Sequence, residues 1–188
     1  MTTDKLVVGV AGMPGAGKSV VTKIAKGYGY SIIVMGDIVR EEAQKRDMTP
    51  TPENLGKIML ELRKTEGDNV IAKKRMPKIE KEKARKIIVD GVRSLSEINE
   101  FKAHYPTFTL IAIEASSEAR FKRLYRRRRS DDPKSWENFQ ERDRRELSVG
   151  LGEAIAKAEY RIQNEGDLKT TKIQIKEALR KIEEKWMK

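Results

Sequence analysis

One short run limits this chain more than any other feature. Gly12-Met13-Pro14-Gly15-Ala16-Gly17-Lys18-Ser19 fits the pattern G-x-x-x-x-G-K-[ST], directly after the apolar, β-branched stretch 5–11, KLVVGVA. A strand that runs into such a loop and then into a helix is the context that gives the pattern a mechanism. The glycines let successive backbone N–H groups curl round a phosphate, as far as Val20. The helix start adds donors and a favourable dipole. Lys18 is placed to reach β- and γ-phosphates, and the Ser19 hydroxyl to complete a Mg²⁺ shell. The run therefore implies ATP and Mg²⁺. It leaves the destination of the phosphoryl group open.

The remaining chain reads as an α/β fold built round that loop. Strands are expected at 5–11, 30–35, 86–90, 108–114 and 160–163. Helices are expected at 18–27, 37–46, 52–65, 68–83, 94–104, 116–128, 134–149 and 154–158, with a last one after Gly166. Strands alternating with helices imply a mostly parallel sheet covered on both faces, the three-layer P-loop NTPase arrangement. Local signals support the boundaries. Asp37 is placed to cap its helix, Thr51 to cap the next with Pro52 at the first helical position, and Ser116 or Ser117 a third. Leu55, Ile58, Met59 and Leu62 make one apolar face, as do Ile175, Leu179, Ile182 and Trp186. With 188 residues the chain suits a single domain. Its core is expected at 1–36, 84–127 and 149–188. The stretches 37–83 and 128–148 carry more helix than a crossover needs, the second after an interruption at Asp131-Asp132-Pro133. They read as mobile caps over the strand ends.

Two strand ends besides the loop carry polar residues. The second strand closes in Gly36-Asp37-Ile38-Val39-Arg40, with Arg40 one helical turn beyond Asp37. The third closes in Asp90-Gly91-Val92-Arg93. Asp90 is placed to hold Mg²⁺ through water, and Gly91 lets the chain turn close to a ligand. Arg40 and Arg93 are placed to clamp a second phosphate bidentately.

Charge adds a third element. Lys and Arg total 40 against 29 Asp and Glu, a net +11. Arg120 to Arg129 holds seven basic residues and no acid. Arg123 and Arg127 share a helical face; Arg142 and Arg145 lie on the helix that returns. Such a cluster suits phosphates, whose charge in phosphoryl transfer needs no proton donor. It would also serve as an arginine-bearing lid that excludes water, or as a charge ladder with Asp131, Asp132, Glu137 and Glu141. The chain has no cysteine and a single histidine, His104, which excludes disulfides, thiolate metal sites and a cysteine nucleophile. It has no apolar run long enough to span a membrane and no signal-peptide pattern. The expected compartment is the cytoplasm, and the expected state a monomer or small homo-oligomer.

In their order along the chain, the loop, Gly36-Asp37-x-x-Arg40, Asp90-Gly91-x-Arg93 and Arg123-x-x-x-Arg127 resemble adenylate kinase and other nucleoside monophosphate kinases. The chain looks especially like archaeal adenylate-kinase-related proteins. The resemblance covers about residues 5–166. It implies a five-stranded parallel core, a helical acceptor-binding insertion at about 37–83 and a short arginine-rich lid near 128–142, within the stretch 128–148. It also implies that Arg40 and Arg93 hold the acceptor's phosphate and that Arg123 and Arg127 contact the transferring phosphates, with Arg142 or Arg145 closing from the lid. Asn164-Glu165-Gly166 is similar to the loop that borders the donor base in such kinases, dephospho-coenzyme A kinase above all. The chain has Met35-Gly36-Asp37 where adenylate kinases have Thr-Gly-Asp, and Gly91-Val92-Arg93 where they have Gly-Phe-Pro-Arg. Near the position of their base-reading glutamine stand Ser94, Ser96 and Glu97.

Three functions follow. The first is phosphoryl transfer from MgATP to a small phosphorylated acceptor, a nucleoside monophosphate such as AMP. The second is a hydroxyl-acceptor kinase of the dephospho-coenzyme A kinase kind, with Asp37 as the base. The third is an NTPase switch or RNA-associated factor whose arginines bind nucleic-acid phosphates. Tyr125 and Trp136 flank the basic run.

Overall fold

The computed structural model describes residues 4–129 and 132–187, so Asp131 lies outside the described residues. The strands are β1 (Leu6–Ala11), β2 (Ser31–Val34), β3 (Lys86–Asp90), β4 (Thr109–Glu114) and β5 (Tyr160–Gln163). The first helices are α1 (Lys18–Gly27), α2 (Asp37–Lys45), α3 (Pro52–Glu66), α4 (Val70–Lys81) and α5 (Leu95–His104). They are followed by α6 (Ser117–Arg127), α7 (Trp136–Ser148), α8 (Leu151–Ala156) and α9 (Leu168–Trp186). All strands run parallel in the order β2-β3-β1-β4-β5.

Strand residues alternate between two apolar layers. Val7, Ile33, Ile87, Val89, Leu110 and Ala112 face α2 to α5 and α8. Leu6, Val8, Val10, Ile88, Ile111 and Ile162 face α1 and α9. Burial on both sides explains why the strands read as unbroken apolar runs. The chain leaves β1 on one side to make β2 and β3, then crosses to make β4 and β5. That reversal opens a crevice at the carboxyl ends of the central strands. Register brings the polar strand ends level, for Asp90 pairs with Val10 of β1 and with Val34 of β2.

Most caps stand where the sequence puts them. Thr51 Oγ1 accepts from Asn54 N–H with Pro52 next, and Ser116 caps α6. Asp37 is not a cap. Gly36 precedes α2 with helical angles (φ −63°, ψ −16°), so Asp37 is already inside the helix and makes no capping bond. The helix expected at 154–158 is α8, and it starts earlier because Gly150 (φ 98°) opens it. No helix among the described residues is long and apolar enough to cross a membrane.

Candidate functional site

The loop between β1 and α1 is shaped by two left-handed glycines and by partners far along the chain. Gly15 has φ 82°, and a Cβ there would stand 2.7 Å from the Arg120 carbonyl oxygen. Gly17 has φ 112°, and a Cβ there would stand 2.3 Å from Asn164 Nδ2. Only glycine fits either position. The loop closes on itself through Ala16 N–H to Met13 O at 3.0 Å. The first N–H groups of α1 have no intrahelical acceptor. Gly17, Lys18, Ser19 and Val20 line a cavity of about 600 Å³ at the strand ends.

Asn164 is the outer brace. Its Nδ2 donates to Ala16 O at 2.8 Å, and its Oδ1 accepts from Thr171 Oγ1 at 3.0 Å. Its own carbonyl accepts from Arg123 Nη2 at 2.5 Å. Arg123 Nη1 also lies 3.4 Å from the Gly15 and Ala16 carbonyls. Asn164 and Arg123 therefore both hold the loop's outer wall.

The same cavity gathers most of the residues named from sequence. Gly12, Pro14, Gly15, Arg40, Asp90, Gly91, Arg93, Arg123, Arg127 and Arg142 all line it, with Asn164. Arg127 is held by Asp132, Nε to Oδ2 at 2.9 Å and Nη2 to Oδ1 at 2.5 Å. Met13 packs against the core, and the buried Ala16 contributes its carbonyl to Asn164. Neither lines the cavity. Arg145 stands apart, in the wall of a smaller cavity of about 110 Å³ between α2, α3 and α7. Its Nη1 would lie 2.9 Å from a Cβ on Gly56 of α3, so the missing side chain gives it room. Arg40, Arg93 and Arg142 line both cavities. Asp37 lines neither; its carboxylate accepts from Arg40 Nη1 at 2.9 Å and lies 3.8 Å from Arg75 Nη2.

Lys18 Nζ donates to Gly12 O at 2.6 Å. Burial lowers its pKa, while Asp90 and Glu146 pull it back up and Arg93 and Arg142 push it further down. Burial raises the Asp90 carboxyl; Lys18 and Arg93 oppose this, and Asp37 adds to it. Asp90 Oδ1 is buried and accepts no hydrogen bond among the described residues. Bare charge of either sign is therefore disfavoured here. A phosphate beside Lys18 and a hydrated cation beside Asp90 would relieve both, so Ser19 and Asp90 fit a Mg²⁺ site.

Several residues of the site escaped the sequence reading. Glu146 lines both cavities, its Oε2 2.9 Å from Arg93 Nε. Its i, i+4 spacing from Arg142 was the available signal. Arg129 lines the larger cavity, and Arg75 is buried within α4 near Asp37 and Glu41. Arg120 is 4% exposed and bonds to Asp143 through Nη1 (2.9 Å) and Nη2 (2.5 Å). It also donates to the Pro14 carbonyl at 3.1 Å and lies over the Phe139 ring. Its spacing from the buried Leu124 marks it as an inward residue. Helix α7 contacts α6 through Asp143 and Arg120, and Arg93 through Glu146. Trp136 and Tyr125 both lie against the Phe121 ring, with Tyr125 still exposed.

Ser94 and Glu97, which stand near the position of the base-reading glutamine of adenylate kinases, are used internally. Ser94 Oγ caps α5 by accepting from Glu97 N–H at 3.2 Å. Glu97, 1% exposed, accepts from Arg63 Nη2 at 2.5 Å and from the Arg93 N–H at 2.7 Å. A helix of the α2–α4 segment thereby fixes the Arg93 backbone. Glu97→Gln keeps the shape and strands Arg63 as an unpaired buried cation. It is expected to cost about 2–3 kcal/mol, read as a shifted urea midpoint at unchanged slope.

Comparison with known proteins places the family and the fold. A family model described as an AAA domain matches residues 11–140. A UPF0200 protein of Hyperthermus butylicus is 44% identical over 178 residues, covering 95% of each chain. A UPF0200 protein of Methanocaldococcus jannaschii is 47% identical, with 85% of this chain and 82% of that one covered. Among solved structures, TT1252 from Thermus thermophilus superposes with TM-score 0.64 at 16% identity, covering 94% of this chain and 97% of that one. Shikimate kinase from Bacteroides thetaiotaomicron gives 0.57 at 14%, covering 95% and 98%. A gluconokinase from Sinorhizobium meliloti gives 0.56 at 14%, covering 100% and 98%. At these identities the structures speak for the fold.

Proposed function

Since this chain belongs to the UPF0200 family and carries an AAA domain on the fold of P-loop kinases, we propose that it transfers the γ-phosphoryl group of MgATP to a small phosphorylated acceptor, in the first place a nucleoside monophosphate. One observation carries the reading. Lys18 and Ser19, after β1, share a single cavity with Arg40, after β2, and with Asp90 and Arg93 at the end of β3. A loop for one phosphate chain and two guanidiniums for another anion stand across one crevice.

In this reading the loop amides and Lys18 hold the donor's phosphates. Ser19 and Asp90 would hold Mg²⁺, which when bound neutralises charge on the phosphates. Arg40 and Arg93 take the acceptor's phosphate. Arg123 and Arg127 shape the donor side, and Arg142 bridges the two cavities. A phosphate acceptor is already anionic, so orientation and charge stabilisation suffice and no base is required.

The structural neighbours named shikimate kinase and gluconokinase keep a hydroxyl acceptor as the second reading, with Asp37 as base. The pairing of Asp37 with Arg40 and its absence from the lining of both cavities weigh against it. Asp37→Asn is expected to lower turnover by less than about tenfold. A base would instead lose about 10²–10⁴-fold on removal. The deciding experiment is ADP release from MgATP in the presence of nucleoside monophosphates, dephospho-coenzyme A or no acceptor. Release stimulated by a monophosphate is expected; stimulation by the hydroxyl acceptor alone would replace this reading with the second.

A further inference from the structure

We propose that Glu146 determines the acceptor class: it is an internal counter-ion on Arg93 that a phosphate monoester dianion displaces and a carboxylate does not. This rests on the reading of Arg40 and Arg93 as the acceptor's anion site. Glu146 is the one acid among the described residues that line the smaller cavity, beside Arg40, Arg93, Arg142 and Arg145, and it lines the larger cavity too. Its side chain is 13% exposed, and Oε2 stands 2.9 Å from Arg93 Nε. That oxygen is buried and accepts no hydrogen bond among the described residues, although the charges touch. The pair is held by charge without an aligned N–H, which makes it exchangeable.

Arg93 is the fixed member. Its backbone N–H is tied to Glu97, and its Nη1 rests 3.8 Å from Met59 Sδ. Glu146 comes from α7 and also acts on Lys18 electrostatically, so it stands between the donor and acceptor sides. An incoming carboxylate would exchange one carboxylate for another and leave Glu146 partly buried without its partner. Nothing is gained. A phosphate monoester brings twice the charge and enough oxygens to engage Arg40 and Arg93 together. Glu146 thus acts as a threshold that only a dianion crosses.

The test is calorimetric titration of the full chain and of Glu146→Gln with AMP, adenosine 5′-carboxylate and inorganic phosphate, with MgATP titrated separately. Wild type is expected to bind AMP at least ~100-fold tighter than the carboxylate. In Glu146→Gln both are expected to bind tighter, and the ratio to fall by about tenfold or more. Adding Arg93→Ala should cancel the gain. The proposal is overturned by a wild type that binds the two adenosine ligands equally, which needs no variant to fold. It is equally overturned by a ratio unchanged in Glu146→Gln or by weaker AMP binding there. If neither adenosine ligand binds, inorganic phosphate decides. Tighter phosphate in Glu146→Gln supports the role of Glu146 while ending the nucleoside reading, and unchanged phosphate overturns both. Absence of MgATP binding would end the kinase reading and leave the anion result standing.

Discussion

Lys18→Ala is expected to lower MgATP turnover by about 10³-fold or more and to leave the thermal midpoint almost unchanged. The size follows from removing a cation aimed at phosphate charge, where one preorganised donor alone is worth about 10²–10³ in rate. The stability half follows from the contacts. Lys18 Nζ donates to Gly12 O at 2.6 Å and lies 3.4 Å from Met13 O, both within its own loop. Burial already disfavours its charge. Alanine removes a desolvated ammonium and breaks no tie between elements. ADP release and a melting curve on one preparation check both halves; undiminished turnover would refute the assignment of the loop.

Arg120→Ala is expected to act in the opposite sense, through the fold. It strands the carboxylate of Asp143, removes the donor to Pro14 O and uncovers the Phe139 ring. Breaking one side of such a pair costs roughly 3–5 kcal/mol, about 10 °C in a chain of this size. The KM for ATP should also rise, because the loop loses its anchor at Pro14. A control separates the pair from its packing. Arg120→Met with Asp143→Leu removes both charges and should recover most of the midpoint, while the KM defect persists. If the single change costs no more than the double, the ion pair does not carry the link between α6 and α7.

What the sequence made legible was local. The P-loop is contiguous, the strands are apolar on both faces, and Thr51-Pro52 and Ser116 mark helix starts by chemistry confined to one turn. The sheet is parallel and five-stranded as expected. What stayed hidden was pairing between elements. Arg63 with Glu97 and Arg120 with Asp143 join helices through residues 34 and 23 positions apart, and no periodic signal announces such a partner. The basic run illustrates the difference. Its composition suggested one shared role, yet Arg120 turns inward, Arg123 braces Asn164 and Arg127 pairs with Asp132. Asp37 misled for a related reason: helical angles at Gly36 moved the helix start back by one residue, a backbone choice that side-chain type does not reveal.

The brace at Asn164 also fixes an order of events during synthesis. The amide that shapes the turn at Ala16 is added 148 positions later in the chain, and its own orientation is set by Thr171, later still. A ribosome-bound chain stopped before that point has the whole glycine loop translated but not the side chain that holds it. Competence to grip nucleotide should therefore appear only after Asn164 and Thr171 have left the exit tunnel.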